Sequence, residues 1–180
     1  MVKNYSRESD LLEKHQIFSL LRLTADAVHR VREFELQKYG ISPQQAAALI
    51  CIHSLHDQAT PAELSRWLFR EPNSITILLN RMHKLGLIEK KADTKRKNQI
   101  RLSLTPKGYE TYNIAIEFES FSSLLNIFPK SKRRQLYTLL MQLKEDIFQD
   151  LRLDSDAYSR CLKEAVILKT DHNKVNTESQ

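Results

Sequence analysis

From Leu11 to Tyr39, apolar side chains recur as Leu11, Leu12, Ile17, Phe18, Leu20, Leu21, Val28, Val31 and Phe34, with no glycine or proline between them. That spacing predicts a long amphipathic helix. Gly40 supplies its stop, because helices commonly end on a left-handed residue that glycine tolerates without a Cβ clash. Ser42, Pro43 and Gln45 then fit an N-cap, an N1 proline and the N3 partner of a capping box, and predict a second helix to about His56. The device repeats at Thr60, Pro61 and Glu63. There the threonine hydroxyl is expected to cap the N3 amide and the glutamate to return to the cap amide, opening a short helix through Leu68. Pro72, with Glu71 near the cap where its charge suits the helix dipole, opens another short helix that Gly86 ends.

After Gly86 the period shortens. Leu87, Ile88 and Glu89 lead into a charged stretch from Lys90 to Asn98, and Ile100, Leu102 and Leu104 then alternate with Arg101 and Ser103. This is a β-hairpin pattern with a long basic tip. Thr105 and Pro106 start a further helix whose buried side is marked by Tyr109, Tyr112, Ile116, Phe118 and Phe121, and which Pro129 is expected to break. A last strong helical pattern runs through Leu136, Leu139, Leu140, Leu143, Ile147, Phe148 and Leu151 after a basic start from Lys130 to Arg134. Tyr158, Cys161, Leu162, Ala165 and Val166 predict a short extra helix, and the polar end from Asp171 to Gln180 is expected to be disordered.

Only three glycines occur in 180 residues, and the long segments rich in Leu, Ala, Glu, Lys, Gln and Arg favour helix. The fold class is therefore mainly α with a small β-hairpin, in a single domain spanning 1–180. The formal charge of +6 is concentrated: residues 60–108 hold eleven Lys and Arg against four Asp and Glu. A basic block of that kind suits a polyanionic partner.

Two short helices, a glycine stop, a basic hairpin and a following helix form the element order of a winged helix-turn-helix. In the second short helix, Ile75, Leu78, Leu79, Met82 and Leu85 are spaced to pack inward. Asn73, Ser74, Thr76, Ile77, Asn80, Arg81 and Lys84 are left outside. Those outer residues suit double-stranded DNA: Asn and Arg match purine edges, Ser and Thr bond bases or phosphates, and Ile77 fits a thymine methyl. The alternative for Arg81 is a phosphate contact. Lys95, Arg96 and Lys97 at the hairpin tip suit phosphate or minor-groove contact.

These residues resemble the multiple antibiotic resistance regulator (MarR) family over roughly Leu11 to Leu151. Pro61-Ala62-Glu63-Leu64 is similar to the first helix of that family's motif, Arg81 to Ile88 to the end of its recognition helix, and Ser103 to Gly108 to the strand leaving its wing. The resemblance implies a MarR-like homodimer that presents two recognition helices to a palindromic operator. Residues 11–59 would serve dimerisation and support, 60–108 the winged helix-turn-helix and 109–151 dimerisation again, leaving 152–180 as a partly disordered extension. The apolar stripes of the first helix and of Leu136 to Leu151 point to a homodimer independently, since they exceed what one small winged domain can cover. The wing departs from the family's usual acidic residue two positions before an arginine: those places hold Arg96 and Asn98. Arg96, flanked by Lys95 and Lys97, is the candidate for the tip. The resemblance also implies a small phenolic or amphipathic effector between the dimerisation and DNA-binding regions, in a site lined by the first two helices. A transcriptional regulator acting as a repressor is the resulting expectation. The alternative is a winged-helix module for protein interaction that does not read DNA sequence.

His53 and His56 share a helix face at i, i+3 but lack a nearby cysteine or carboxylate to complete a metal set. No metal and no cofactor is expected. Cys51 and Cys161 are too distant in sequence to make a CxxC pair, and Cys51 on an apolar helix fits a buried structural thiol. Trp67 and Phe69 fit core or helix packing better than single-strand stacking. No glycine-rich phosphate loop, GxSxG or HExxH motif occurs, so an enzyme is not expected. The absence of an apolar leader or an eighteen-residue apolar run gives the expectation of a cytoplasmic protein without a membrane partner.

Overall fold

The computed structural model describes residues 2–93, 99–117 and 119–152, with 2–8 and 121 as backbone only. Helix α1 runs Val2–Gln37 and α2 runs Pro43–Leu55. A single 3-10 turn, His56–Gln58, precedes α3, Pro61–Trp67, and α4, Pro72–Lys84. Strands β1, Ile88–Ala92, and β2, Ile100–Leu104, lead to α5, Pro106–Ala115, α6, Glu119–Leu125, and α7, Lys130–Asp150. The hairpin tip with Lys95, Arg96 and Lys97, Phe118, and the expected helix at Tyr158 to Val166 with its polar end lie outside the described residues.

The glycine stops act through backbone geometry. Gly40 has φ 67, its amide donates to the Gln37 carbonyl at 3.0 Å, and the Ile41 amide reaches back to Leu36 at 3.2 Å. Gly86 repeats the arrangement at φ 70, with its amide on His83 at 3.0 Å and Leu87 on Met82 at 3.0 Å. Both are paired closures that spend the orphan carbonyls of a helix end and require the left-handed conformation. The capping box of α2 is complete, Gln45 N donating to Ser42 Oγ at 3.2 Å and Ser42 N to Gln45 Oε1 at 2.9 Å.

Several expectations need correction. The box at Thr60 is half made: Glu63 N donates to Thr60 Oγ1 at 3.2 Å, but the glutamate side chain turns to Arg66 at 2.7 Å instead of the cap amide. Helix α1 begins nine residues before Leu11, because Val2 to Asp10 contains no breaker and helix extends past the stretch that apolar spacing marks. The helix after Thr105 ends at Ala115, well before Pro129, because the Arg32 guanidinium donates to the carbonyls of Ala115 and Glu117 and holds them apart from a continuing helix. Tyr109 on that helix is half exposed, whereas Tyr112 is buried and Ile116 packs partly against the core.

The main core is assembled by the winged unit itself. Leu49 and Ile52 of α2, Leu64 of α3, Ile75, Leu79 and Met82 of α4, Ile88 and Leu102 of the hairpin and Tyr112 of α5 form one buried cluster. Burying each of the larger side chains contributes roughly 1.5–3 kcal/mol. A smaller cluster of Leu36, Ile41, Ala46 and Ala115 seats the end of α1 on α2 and α5. Cys51 is buried within the first cluster, as a structural thiol would be. Antiparallel register pairs Ile88 with Leu104, Lys90 with Leu102 and Ala92 with Ile100, so Ile88, Leu102 and Leu104 meet the helices on one face. Leu102 N also donates to Ala59 O at 2.9 Å, tying β2 to the segment before α3.

Candidate nucleic-acid interface

Helix α4 is oriented by what it buries. Ile75, Leu79 and Met82 are almost fully covered and Leu78 half so. Leu85 departs from the inward set at 44 % exposure, because it is the C-cap where the chain already turns toward Gly86. Rotation about the helix therefore presents Asn73, Ser74, Thr76, Ile77, Asn80, Arg81 and Lys84 to solvent, and all seven are exposed. Ile77, 71 % exposed, is the apolar centre of an otherwise polar surface.

This surface has two flanks. Toward the hairpin, Asn80 Oδ1 accepts from Lys90 Nζ at 2.7 Å and His83 Nδ1 meets the Ile88 carbonyl at 3.0 Å. A carbonyl only accepts, so Nδ1 carries the proton. Thr76 Oγ1 donates back to Pro72 O at 2.9 Å, leaving its methyl and lone pairs outward. Partial burial holds the Lys90 ammonium below the ordinary lysine pKa, and the Lys91 ammonium at 2.7 Å holds the Glu89 carboxyl below its usual value. Sequence patterning did not single out Lys90, since only its register opposite Leu102 and its reach across to α4 give it a part.

Toward α1, Ser74, Ile77 and Arg81 border a cavity of about 760 Å³ between α4, α1 and α2. Its floor is apolar, with Val28, Ala47, Ile50 and Leu78, and its lining also holds His29, Arg32, Arg70 and Arg81, without an acid. Arg32 leads from this cavity to the junction of α5 and α6. Its side chain, 12 % exposed, pairs with Glu35 at 2.5 Å while capping Ala115 and Glu117. Glu35 in turn accepts from the Ser120 amide at 3.3 Å.

The hairpin is anchored at both ends. At the tip side, Arg101 Nε donates to the buried Asp93 carboxylate at 2.6 Å and Arg101 Nη1 to Asp57 O at 2.6 Å. At the base, the Thr105 hydroxyl accepts from Gly108 N at 2.9 Å and donates to Gly86 O at 2.5 Å, while Lys107 Nζ reaches Leu85 O at 3.0 Å. The carbonyls of Leu85 and Gly86, just after α4, are thus satisfied by the start of α5. His53 stacks on Tyr112 at 4.2 Å, with His56 at 5.7 Å. Among the described residues no group of three or more His, Cys, Asp or Glu is placed to hold a metal, and no helix is long and apolar enough to cross a membrane.

Trp67 packs partly against the core. Phe69 does not: it is 56 % exposed and meets Phe148 of α7 instead.

Two short helices whose second presents a polar face, closed by a glycine turn and flanked by a two-stranded hairpin, define a winged helix-turn-helix. No protein-family model matches the chain. No curated protein matches it in sequence. Solved structures do. The organohalide-sensing transcriptional regulator RdhR-CbdbA1625, in its 2,4-dichlorophenol bound form, is similar at a TM-score of 0.62 and 25 % identity, over 74 % of this chain and 80 % of that one. A MarR protein from Peptoclostridium difficile gives a TM-score of 0.67 at 21 % identity, over 74 % and 88 % of the two chains. MepR of S. aureus, solved as a MepR–DNA complex, gives 0.60 at 17 % identity, over 72 % and 96 %. The chain has a MarR-like winged helix fold.

Proposed function

We propose that this protein is a sequence-specific transcriptional regulator that binds double-stranded DNA as a homodimer, acts as a repressor, and is released by a small effector. The observation that carries the proposal is the exposed face of α4, with Asn73, Thr76, Ile77, Asn80 and Arg81 outward beside a basic hairpin. Asn80 and Arg81 have the donor and acceptor geometry for purine edges, and Lys84 and Ser74 suit phosphates. Lys95, Arg96 and Lys97 would follow the backbone or the minor groove. The likeness in fold to MepR, which is solved with DNA, supports this assignment.

The second copy is needed for geometry and for burial. Leu11, Phe18 and Leu21 of α1 and Leu136, Leu140 and Leu143 of α7 are exposed in the single chain, an apolar surface that a symmetric partner would cover. Two recognition helices would then enter successive major grooves about 34–36 Å apart on an inverted repeat. Residues 60–108 form the DNA-binding part, 11–59 and 109–151 the dimerising part and 152–180 an extension. The work is done in the cytoplasm without a cofactor and without an enzymatic step.

The effector is proposed to occupy the cavity between α1, α2 and α4. Its apolar floor and the exposed guanidinium groups of Arg70 and Arg81 on its lining suit an amphipathic molecule with one anionic group. RdhR-CbdbA1625 is solved with 2,4-dichlorophenol, an apolar ring with a single ionisable hydroxyl.

The test is selection of preferred sites from random DNA by the parent and by alanine variants at Asn73, Thr76, Asn80 and Arg81, with thermal melts to show that each is folded. Truncating a base-reading residue should cost roughly 1–3 kcal/mol and relax preference at particular base pairs. Loss of affinity uniformly across sequences at Arg81 would assign it to a phosphate. If all four folded variants select the parent's sites with undiminished discrimination, α4 does not read bases, and a winged-helix module for protein interaction becomes the better account.

A further inference from the structure

The turn joining α3 to α4 is closed like the two glycine stops but without a glycine. Phe69 N donates to Arg66 O at 3.3 Å, Arg70 N reaches back to Ser65 O at 3.1 Å, and Ser65 Oγ donates to Arg70 O at 2.6 Å. The residue in the left-handed slot is Phe69, at φ 50. A bulky side chain is disfavoured there by crowding of its Cβ against the backbone, and it persists where neighbouring structure determines it.

What meets its ring is α7. The Phe69 and Phe148 rings lie 5.8 Å apart at 69°, an edge-to-face pair, and Lys144 Nζ stands 5.5 Å from the Phe148 centroid. Phe148 is 7 % exposed and is the buried residue of α7 among the described residues, while Leu136, Leu139, Leu140, Leu143 and Ile147 stay 39–56 % exposed. Helix α7 therefore meets the turn before α4 near its C-terminal end and offers the rest of its stripe elsewhere. On either side of Phe69, Leu68 and Arg70 line the cavity between α1, α2 and α4. One turn of four residues, 68–71, thus touches the cavity, α7 and the start of α4.

We propose that the Phe69–Phe148 pair is a latch that fixes the position of α4 relative to α7, with Phe148 a positioning residue for DNA recognition. It rests on the DNA-binding function proposed above and adds how the dimer's helices govern the recognition helix. Displacing α7, by dimer rearrangement or by a ligand pressing on Leu68 and Arg70, would release the turn and with it the N-terminal end of α4.

The test is a double-mutant cycle on the full chain with Phe148→Ala and Phe69→Gly. The two changes have opposite effects on strain: Phe148→Ala leaves Phe69 strained without its anchor, whereas Phe69→Gly removes the ring and relieves the backbone. Hydrogen exchange at the Arg70 amide reports the turn without DNA, and affinity for a site selected by the parent reports the function. In the parent background, Phe148→Ala should speed Arg70 exchange and weaken DNA binding, each by about three- to tenfold. In the Phe69→Gly background it should change neither. Should Phe148→Ala fail to fold, Phe148→Leu, which keeps apolar bulk but has no ring edge, takes its place with the same expectation. Unchanged exchange on Phe148→Ala, or the same acceleration in both backgrounds, overturns the latch. Faster exchange with unchanged DNA affinity overturns its role in recognition. A parent that binds no selected DNA overturns the DNA-binding reading instead, and the exchange cycle still decides whether the latch exists.

Discussion

Thr105→Val deletes one hydroxyl and with it two hydrogen bonds that join α4, the hairpin and α5. The valine keeps the β-branch and the half-buried volume, so packing changes little. The hydroxyl accepts from Gly108 N at 2.9 Å, capping α5, and donates to Gly86 O at 2.5 Å, at the end of α4. Losing a threonine N-cap costs about 1 kcal/mol, and a second hydrogen bond is worth about 0.5–1.5 kcal/mol. Gly86 is exposed, so water recovers part of the bond to its carbonyl. The expected net loss is about 1–2.5 kcal/mol. Thr105→Ser keeps both bonds and should lose less than about 0.5 kcal/mol more than a surface change. Urea unfolding followed by circular dichroism measures both, the shift in midpoint being converted at constant slope. A valine variant that melts with the parent, or a serine variant less stable than the valine one, would refute the assignment of these bonds.

Gly108→Ala adds a Cβ that runs into the Leu87 carbonyl, a backbone atom that cannot rotate away, and should lower stability by about 1–3 kcal/mol in the same urea assay. Arg32→Met removes the donor held by Ala115 O and Glu117 O and leaves the covered Glu35 carboxylate without that partner; a loss of about 2–4 kcal/mol in a thermal or urea melt is expected, and no loss would show the clamp to be idle. Lys90→Met should free the Asn80 amide from its 2.7 Å bond and alter preference at the base pair Asn80 faces, checked by site selection, whereas a uniform loss of affinity would make Lys90 a phosphate contact. Burial lowers the Lys90 pKa, so the unfolded chain holds that proton more tightly and the parent should gain stability relative to Lys90→Met as pH rises from the folded-state value toward 10.5; melts from pH 8 upward test the sign.

The helix boundaries that were legible are those written in short-range chemistry. Ser42 with Gln45, Thr60, Thr105, Gly40 and Gly86 all do locally what their types predict. The outward face of α4 was equally legible, since Ile75, Leu79 and Met82 fix its rotation by spacing alone. Contacts between distant segments were not. Nothing near Arg32 in sequence announces that its guanidinium will end α5 more than eighty residues later, so periodicity carried that helix on to Pro129. For Phe69 the sequence pointed to packing but not to its partner: it occupies a left-handed turn position and meets a ring on α7, about eighty residues away. Glu63 lost its capping role to a charged competitor, Arg66, three residues along the same helix.

Arg81 belongs to two surfaces at once. Its exposed guanidinium lies on the face proposed to read DNA and also borders the cavity proposed to take an effector. A bound anion that draws Arg81 toward Arg70 would withdraw a donor from the DNA side even if no helix moved. The same competition works in reverse, because DNA that engages Arg81 removes one of the cations that would hold the anion. Linkage requires these two effects to be equal in size, so the factor by which effector weakens DNA binding is the factor by which DNA weakens effector binding. A ligand that met only the apolar floor formed by Val28, Ala47 and Ile50 would not enter this competition, and would alter DNA affinity only by moving Leu68 and Arg70 and so straining the turn before α4. The charge on the effector therefore decides which of the two routes it uses.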